Sequence, residues 1–327
     1  MENELVSICI LCYNHDKFIE KTIEGIIQQK VTFQIKIYIN DDCSSDNSVS
    51  IIEKLVEKYP NQIVLLKNNN NMGQLAGVKR LFSQIKGKYI AFFDGDDYWI
   101  YDQKLQKQVD FLEKNTDYIA SCHDALVISQ DNQKNKNEIF QNQSRHFYKY
   151  LSQFTHYSSN EIPAYQILTG ETYIQTATLI WRNCGLDFYL KTIKDVKFNL
   201  DWYFMVTLGA KGKINYINEP WAVYSNHIDG RSKKIFYHTY LPDKIKLLKS
   251  LFKIEFYNKP YFRYHIYDVI SKEFYSLIIG NSDKKKNTLF LAKNLLQYSR
   301  FNLLKVCSFV KYVIKYRNSI IVNSHKE

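Results

Sequence analysis

The chain has 327 residues, 45% of them hydrophobic, and a formal charge of +11, which fits one large domain or two modest ones with enough apolar material for a real core. No stretch approaches the ~20 apolar residues of a membrane-spanning helix, and the opening MENELVSICIL has neither a basic leader nor a small-residue cleavage site, so no secretory signal is expected. The charge is uneven: residues 230–327 carry 20 Lys and Arg against 6 Asp and Glu, whereas residues 1–229 carry 24 against 27, so the basic excess is no argument for nucleic-acid binding by the N-terminal part.

In chain order, LVSICILC (5–12) reads as a strand and FIEKTIEGIIQQ (18–29) as a helix. IKIYIN (35–40) is a second strand, ending at Asp41-Asp42, and SVSIIEKLVEKY a helix capped by Asp46 or Ser48. IVLLKN (63–68) is a third strand, followed by the loop NNNMG (69–73) and the helix AGVKRLFSQIKG, stopped by Gly87 as C-cap. YIAFF (89–93) is a fourth, fully apolar strand, then come the helix QKLQKQVDFLEKN and the strand YIASCHDALVIS. Residues 130–160 are polar, Asn/Gln/Ser-rich and aperiodic and read as a mobile loop, with low-complexity disorder as the alternative. TYIQTATLIWRN (172–183) and KINYINEPWAVYSNH (213–227) read as strands flanking the helix LDWYFMVTLGAKG, and the pattern turns helical from about residue 235. No internal repeat is visible. Strands alternating with helices predict an α/β fold with a doubly wound, mostly parallel sheet.

In such sheets ligands bind beyond the C-terminal strand ends. Tyr13, Asp41-Asp42 and Asp94-Gly95-Asp96-Asp97 all fall there, so three polar clusters distant in sequence are predicted to share one crevice. Asp94 and Asp96, two residues apart, suit a hard cation such as Mn²⁺ or Mg²⁺, and magnesium usually completes its shell with substrate phosphates. The plain alternative is a solvated acidic turn. A phosphatase with a nucleophilic Asp two residues before a second Asp is disfavoured, because Tyr98 stands where Thr or Val is expected. The first strand is not followed by G-x-G-x-x-G, and no G-x-x-x-x-G-K-[ST] occurs, which removes dinucleotide and P-loop readings. Cys9 and Cys12 form a CxxC, but on a strand they face opposite sides, so neither a metal nor a redox pair is expected. The six scattered Cys favour reduced thiols in a cytoplasmic setting.

VSICILCYNHDKFIEKTIEGIIQQ, IKIYINDDCSSDNS, NNMG and GKYIAFFDGDDYW, in that order, resemble family 2 of the inverting glycosyltransferases, which have the GT-A fold. The likeness continues through YIQTATLIWRN and LDWYFMVTLGAKGKINYINEPWAVYSNH to about residue 230. It implies transfer of a sugar, with a UDP-sugar the default donor, to a hydroxyl on a surface polysaccharide or lipid-linked glycan. Residues 1–110 would form the nucleotide-sugar half, 111–232 the acceptor half and 233–327 a basic helical extension. By position, Tyr13 and Asp42 would contact the base, Asp94 the ribose, and Asp96 and His227 the Mn²⁺ or Mg²⁺ on the diphosphate. Asp201 would be the general base, with Thr176 and Trp202 on the acceptor side. Plainer readings exist: Asp201 as an N-cap, Trp202 as a buried aromatic, and His227 as a structurally bonded His.

The sequence departs from the family after NMG, where Ala76, Gly77, Val78, Lys79 and Arg80 replace the usual donor-contacting residues; Lys79 and Arg80 are candidates for phosphate or for a solvated face. After His227, Ile228-Asp229-Gly230-Arg231-Ser232 replaces a Gly-Gly-x-x-Ser pattern, and Arg231, Lys233 and Lys234 are the candidates to supply the missing positive charge. Residues 244–317 read as amphipathic basic helices suited to an anionic membrane surface, on the inner face of the membrane; the plainer alternative is a helical layer packed on the catalytic domain or on a second subunit. The competing class is a non-catalytic sugar-nucleotide or glycan-binding module that kept the fold.

Overall fold

The computed structural model describes residues 4–129, 160–170, 172, 174–185, 190, 193, 197, 199–227, 230 and 237–279. The loop expected over 130–160 therefore lies outside the described residues save its last one, as do Arg231, Lys233, Lys234 and the basic segments beyond 279. The chain divides into two units, Met1–Lys234 and Ile235–Glu327.

The first unit is built on one sheet. Strands β1 (Val6–Cys12), β2 (Ile35–Asp41), β3 (Ile63–Lys67), β4 (Tyr89–Asp94), β5 (Tyr98–Trp99), β6 (Tyr118–Ser129), β7 (Glu161–Ile162), β8 (Ile180–Arg182) and β9 (Lys213–Asn226) run in the order β3-β2-β1-β4-β8-β6-β9-β5, with β7 on β9. The β1–β4 block is parallel; β8 pairs antiparallel with both β4 and β6. Helices α1 (Ile19–Ile27), α2 (Ser48–Lys58), α3 (Gln74–Phe82) and α4 (Lys104–Lys114) follow β1, β2, β3 and β5; α5 (Ala164–Thr169) and α6 (Leu200–Gly209) complete the unit among the described residues.

The elements form for ordinary reasons. All seven residues of β1 are buried, as a strand covered on both faces requires. Ile19, Ile23 and Ile26 recur at helical spacing on α1 and join Val6, Ile8, Ile10, Ile37, Ile39 and Phe93 in one core; each such side chain contributes about 1.5–3 kcal/mol on burial. Helix α6 is apolar on every side, and Tyr203 through Leu208 are all buried, so it is an interior helix.

Three local expectations need correction. Helix α3 ends at Phe82 with Ser83 as its C-cap, well before Gly87. Gly87 instead lies against β1, its N–H donating to Ser7 Oγ at 2.9 Å, and a Cβ there would come within 2.6 Å of the Ser7 nitrogen. That glycine serves a close approach, not a helix end. The N-cap of α2 is Asn47, although the Asp46 carboxylate accepts the Ser48 N–H at 2.9 Å and so does the capping chemistry one residue early. Residues 172–183 are not one strand: Thr176–Thr178 form a 3-10 turn, because the Gln175 side chain accepts the Ala177 N–H, and only Ile180–Arg182 pair in the sheet.

The second unit, over its described residues, comprises α7 (Tyr237–Leu251), a 3-10 turn at Glu255–Asn258 and α8 (Pro260–Ile279). Leu247, Leu248, Leu251, Tyr257, Ile266 and Tyr267 are buried in it. Among the described residues no helix is long and apolar enough to cross a membrane.

Candidate active site

The chain runs from β1 outward to β3 and then returns to lay β4 on the other side of β1, so the strand order reverses between β1 and β4. A crevice opens at such a reversal, beyond the carboxyl ends of the strands. The register brings Leu11 beside Asp94 and Cys12 beside Asp41, which places residues 12–15, 41–42 and 94–97 at one edge. Chain leaving β4 is pinned at once: Gly95 N–H donates to Leu11 O at 2.8 Å, and the Thr22 hydroxyl lies 2.9 Å from Gly95 O and 2.8 Å from Asp97 O. A Cβ on Gly95 would meet Ile19 Cδ1 at 2.9 Å and His15 Nδ1 at 3.0 Å. Glycine is therefore what allows the acidic turn to lie on α1.

The three carboxylates of that turn have different surroundings. Asp97 is buried, accepting the Ser225 N–H at 3.0 Å and an N–H of the Gln175 amide. Burial, and then the charge of Asp96, hold its carboxyl well above the usual range. Antiparallel pairing of β5 with β9 carries the end of β9 past the turn. His227 Nε2 thereby comes 3.1 Å from Asp96 Oδ2, and His15 Nε2 approaches the same oxygen at 3.8 Å. Burial pushes the Asp96 carboxyl up, but the His227 hydrogen bond and the charges of His15 and His227 outweigh it and hold the group below its ordinary range. Burial holds His15 below the usual imidazole range, against the pull of Asp96, and its Nδ1 is buried without a hydrogen-bond partner. The His227 ring packs on Phe18, centroids 4.6 Å apart. Asp94 is half-buried, and its carbonyl accepts the Asp97 N–H at 3.3 Å.

At the end of β2 the carboxylates are engaged by the protein itself. Asp42 Oδ1 accepts the Asn68 amide and the Met72 N–H, each at 2.8 Å, and Oδ2 accepts the Gly73 N–H at 2.8 Å. Asp41 accepts both the N–H and the hydroxyl of Ser44, at 2.9 and 2.5 Å. The Asn14 N–H donates to Ser44 Oγ and Asn14 Oδ1 accepts the Ser45 N–H, with Asn14 at φ 57° and Cys43 at φ 66°. The loops after β1 and β2 are thus latched together. Tyr13 is 47% exposed beside them. Arg80 donates to Lys67 O at 2.8 Å and to the Asn68 side-chain oxygen, tying α3 to the end of β3, while Lys79 is exposed.

Asp201 is half-buried in the first turn of α6, one residue inside the N-terminal end, so it is not the N-cap; that position is Asn199, at φ 62°. A carboxylate there is favoured by the helix dipole. Trp202 donates its indole N–H to Ile167 O at 2.9 Å, joining α6 to α5. Thr176 is half-buried at the start of its 3-10 turn. Sequence reasoning gave no role to His15, Thr22 or Gln175. His15 had one signal, its place directly after β1 at the crevice; Thr22 and Gln175 act through backbone and side-chain contacts of 73 to 78 residues' separation, which no local pattern carries.

Among the described residues no three His, Cys, Asp or Glu side chains form a ready-made metal site. The donors at the crevice do fit a cation shared with a substrate: one carboxylate, Asp96, and one imidazole, His227, face each other at 3.1 Å. Oxygen donors suit Mn²⁺ and Mg²⁺ alike, and the nitrogen donor tilts the pair toward Mn²⁺.

The family model described as glycosyl transferase family 2 matches residues 7–176. An uncharacterised protein of Mycobacterium tuberculosis is 28% identical over 228 residues, covering 69% of this chain and 60% of that protein; the chain thus spans three-fifths of that relative's length. The dTDP-rhamnosyl transferase RfbG of Shigella flexneri is 31% identical over 205 residues, 58% of this chain and 66% of RfbG. Over a shorter stretch of 111 residues, 34% of this chain and 42% of the relative, it is 40% identical to the Escherichia coli UDP-Glc:alpha-D-GlcNAc-diphosphoundecaprenol beta-1,3-glucosyltransferase WfaP. Among solved structures, S. aureus TarS in complex with UDP-GlcNAc superposes with a TM-score of 0.59 at 13% identity, over 94% of this chain and 79% of that one.

Proposed function

The chain belongs to glycosyl transferase family 2, and from that premise we propose that it moves a sugar, with inversion, from a nucleoside diphosphate donor to an acceptor hydroxyl on a surface polysaccharide or lipid-linked glycan. The observation that carries this is the Asp96 carboxylate, held at the strand-order reversal with His227 at 3.1 Å and His15 at 3.8 Å. A pyrimidine nucleoside diphosphate is the preferred donor class, since the relatives named above use UDP-glucose or dTDP-rhamnose by their names and TarS was solved with UDP-GlcNAc.

Asp96 and His227 are the residues that would hold a divalent cation, Mn²⁺ or Mg²⁺, which when bound neutralises charge growing on the leaving diphosphate. The remaining work falls to side chains. Tyr13, exposed at the end of β1, offers a ring to the base, and Asp94 a carboxylate to the ribose. Asp42 already accepts three hydrogen bonds from residues 68–73, so its part in base recognition is to shape that loop while its remaining lone pair faces the base. Lys79, exposed on α3, remains the candidate for a phosphate; Arg80 is committed to the end of β3. Asp201 takes the proton of the attacking hydroxyl, and one displacement at the anomeric carbon inverts it with no enzyme-bound intermediate. Thr176 and Trp202 border the acceptor. A cytoplasmic enzyme peripheral to the inner face of the membrane fits an acceptor carried on lipid.

The test is calorimetry of UDP with and without Mn²⁺, paired with turnover of UDP-sugars. Metal-dependent UDP binding that disappears in Asp96→Ala supports the reading; an unchanged metal effect in that variant sinks it. The second reading, a binding module, is separated by Asp201→Asn. An enzyme loses about 10²–10⁴ in kcat with donor affinity retained, whereas a module shows no transfer in either form.

A further inference from the structure

We propose that the 3-10 turn Glu255–Asn258 and the first two turns of α8 form a docking surface for an anionic lipid bilayer. The inference concerns the second unit alone and stands apart from the donor chemistry. Its first support is the arrangement of rings. Phe256 and Phe262 pack with centroids 4.6 Å apart, both edge-on to the fully buried Tyr257, at 5.1 and 5.2 Å. Tyr261 continues the patch 5.2 Å from Phe262 and is 54% exposed, among the most exposed large aromatics of the described residues. Half-buried Phe256 and Phe262 over a buried Tyr257, with Tyr261 exposed beside them, make a pre-formed, partly apolar surface.

The second support is charge. Lys259 lies 5.5 Å over the Phe256 ring, Arg263 5.5 Å over Phe252, and Lys253 is exposed on the same connection, against a single acid there, Glu255. Residues 230–327 as a whole carry 20 Lys and Arg against 6 Asp and Glu. Amphipathic rings interleaved with cations match the headgroup region of a bilayer, where Tyr holds the interface and Lys and Arg meet anionic lipid. The attachment is peripheral, since no described helix can cross the membrane.

The test uses the full chain and vesicles of phosphatidylcholine with or without one-third phosphatidylglycerol. Expected is co-sedimentation with the anionic vesicles only, weakened by salt. Tyr261→Trp adds a fifth tryptophan, and its emission, read as the difference from the parent's four, should be blue-shifted on those vesicles and protected from a soluble quencher. Lys253→Gln and Lys259→Gln should each weaken partition about fivefold, with circular dichroism unchanged. The proposal is overturned if the chain ignores anionic vesicles. It is equally overturned if the double Gln variant binds as well as the parent, or if the Trp reporter stays in water while the chain sediments. A dimer in sedimentation velocity that these substitutions dissolve, without vesicle binding, would assign the surface to a second copy of the chain.

Discussion

Two acidic clusters terminate the parallel strands on either side of β1, Asp41-Asp42 on β2 and Asp94 to Asp97 on β4, and the protein treats them in opposite ways. At β2 both carboxylates accept hydrogen bonds from nearby N–H and O–H groups, five in all, and so shape two loops. At β4 one carboxylate, Asp97, is drawn into the interior to hold Ser225 and Gln175, while the next, Asp96, faces two imidazoles at the crevice. Carboxylate content at a strand end thus says where a site is. Which carboxylate is left facing the crevice is decided by the donors that the rest of the fold brings to each.

That contrast can be broken by substitution. The largest effect belongs to Asp96→Ala, which should abolish the Mn²⁺ dependence of UDP binding, measured by calorimetry. Asp97→Ala should act on stability instead: about 3 kcal/mol lost in urea unfolding, because the buried Ser225 N–H and Gln175 amide lose their acceptor. Asp42→Ala follows, at about 2 kcal/mol, since three donors of residues 68–73 are left to water; protease nicking in that loop would register it independently. If Asp42→Ala instead left stability untouched and removed UDP binding, the two clusters would be functionally alike and the contrast would fail.

The smallest and sharpest test is pH. Asp97 has a folded-state pKa raised by burial and by Asp96, so the stability it contributes is fully present below its unfolded value of about 3.8 and is lost as pH rises through the folded value. Asp96 is held lower, against its burial, by His227 and His15; its contribution is present above about 3.8 and is lost as pH falls through its folded value. Adjacent residues should therefore bend the stability curve in opposite senses. Urea midpoints from neutral pH down to acid, compared between parent, Asp96→Asn and Asp97→Asn, would show each slope removed separately.

The β1–β4 block was legible because its signals are local. Apolar strands such as VSICILC and YIAFF, and the Ile19-Ile23-Ile26 spacing of α1, state their own geometry, and strand ends mark the crevice. Residues 172–183 misled because TYIQTATLIWRN has strand composition throughout, yet Gln175 turns back on Ala177 and breaks the run. Gly87 misled because a glycine after a helical pattern looks the same whether it ends the helix or admits a neighbouring strand. The partnership of Asp97 with Ser225 and Gln175 had no local signature, as it depends on the pairing of β5 with β9.

The contact between Asp96 and His227 spans 131 residues of chain. During synthesis the acidic turn must therefore wait for about 7–26 s at ordinary ribosomal speeds of roughly 5–20 residues per second before its imidazole partner is even made. A nascent chain that ends after the β1–β4 block holds the acidic turn but not His227, so the Asp96–His227 pair can form only once the first unit is nearly complete.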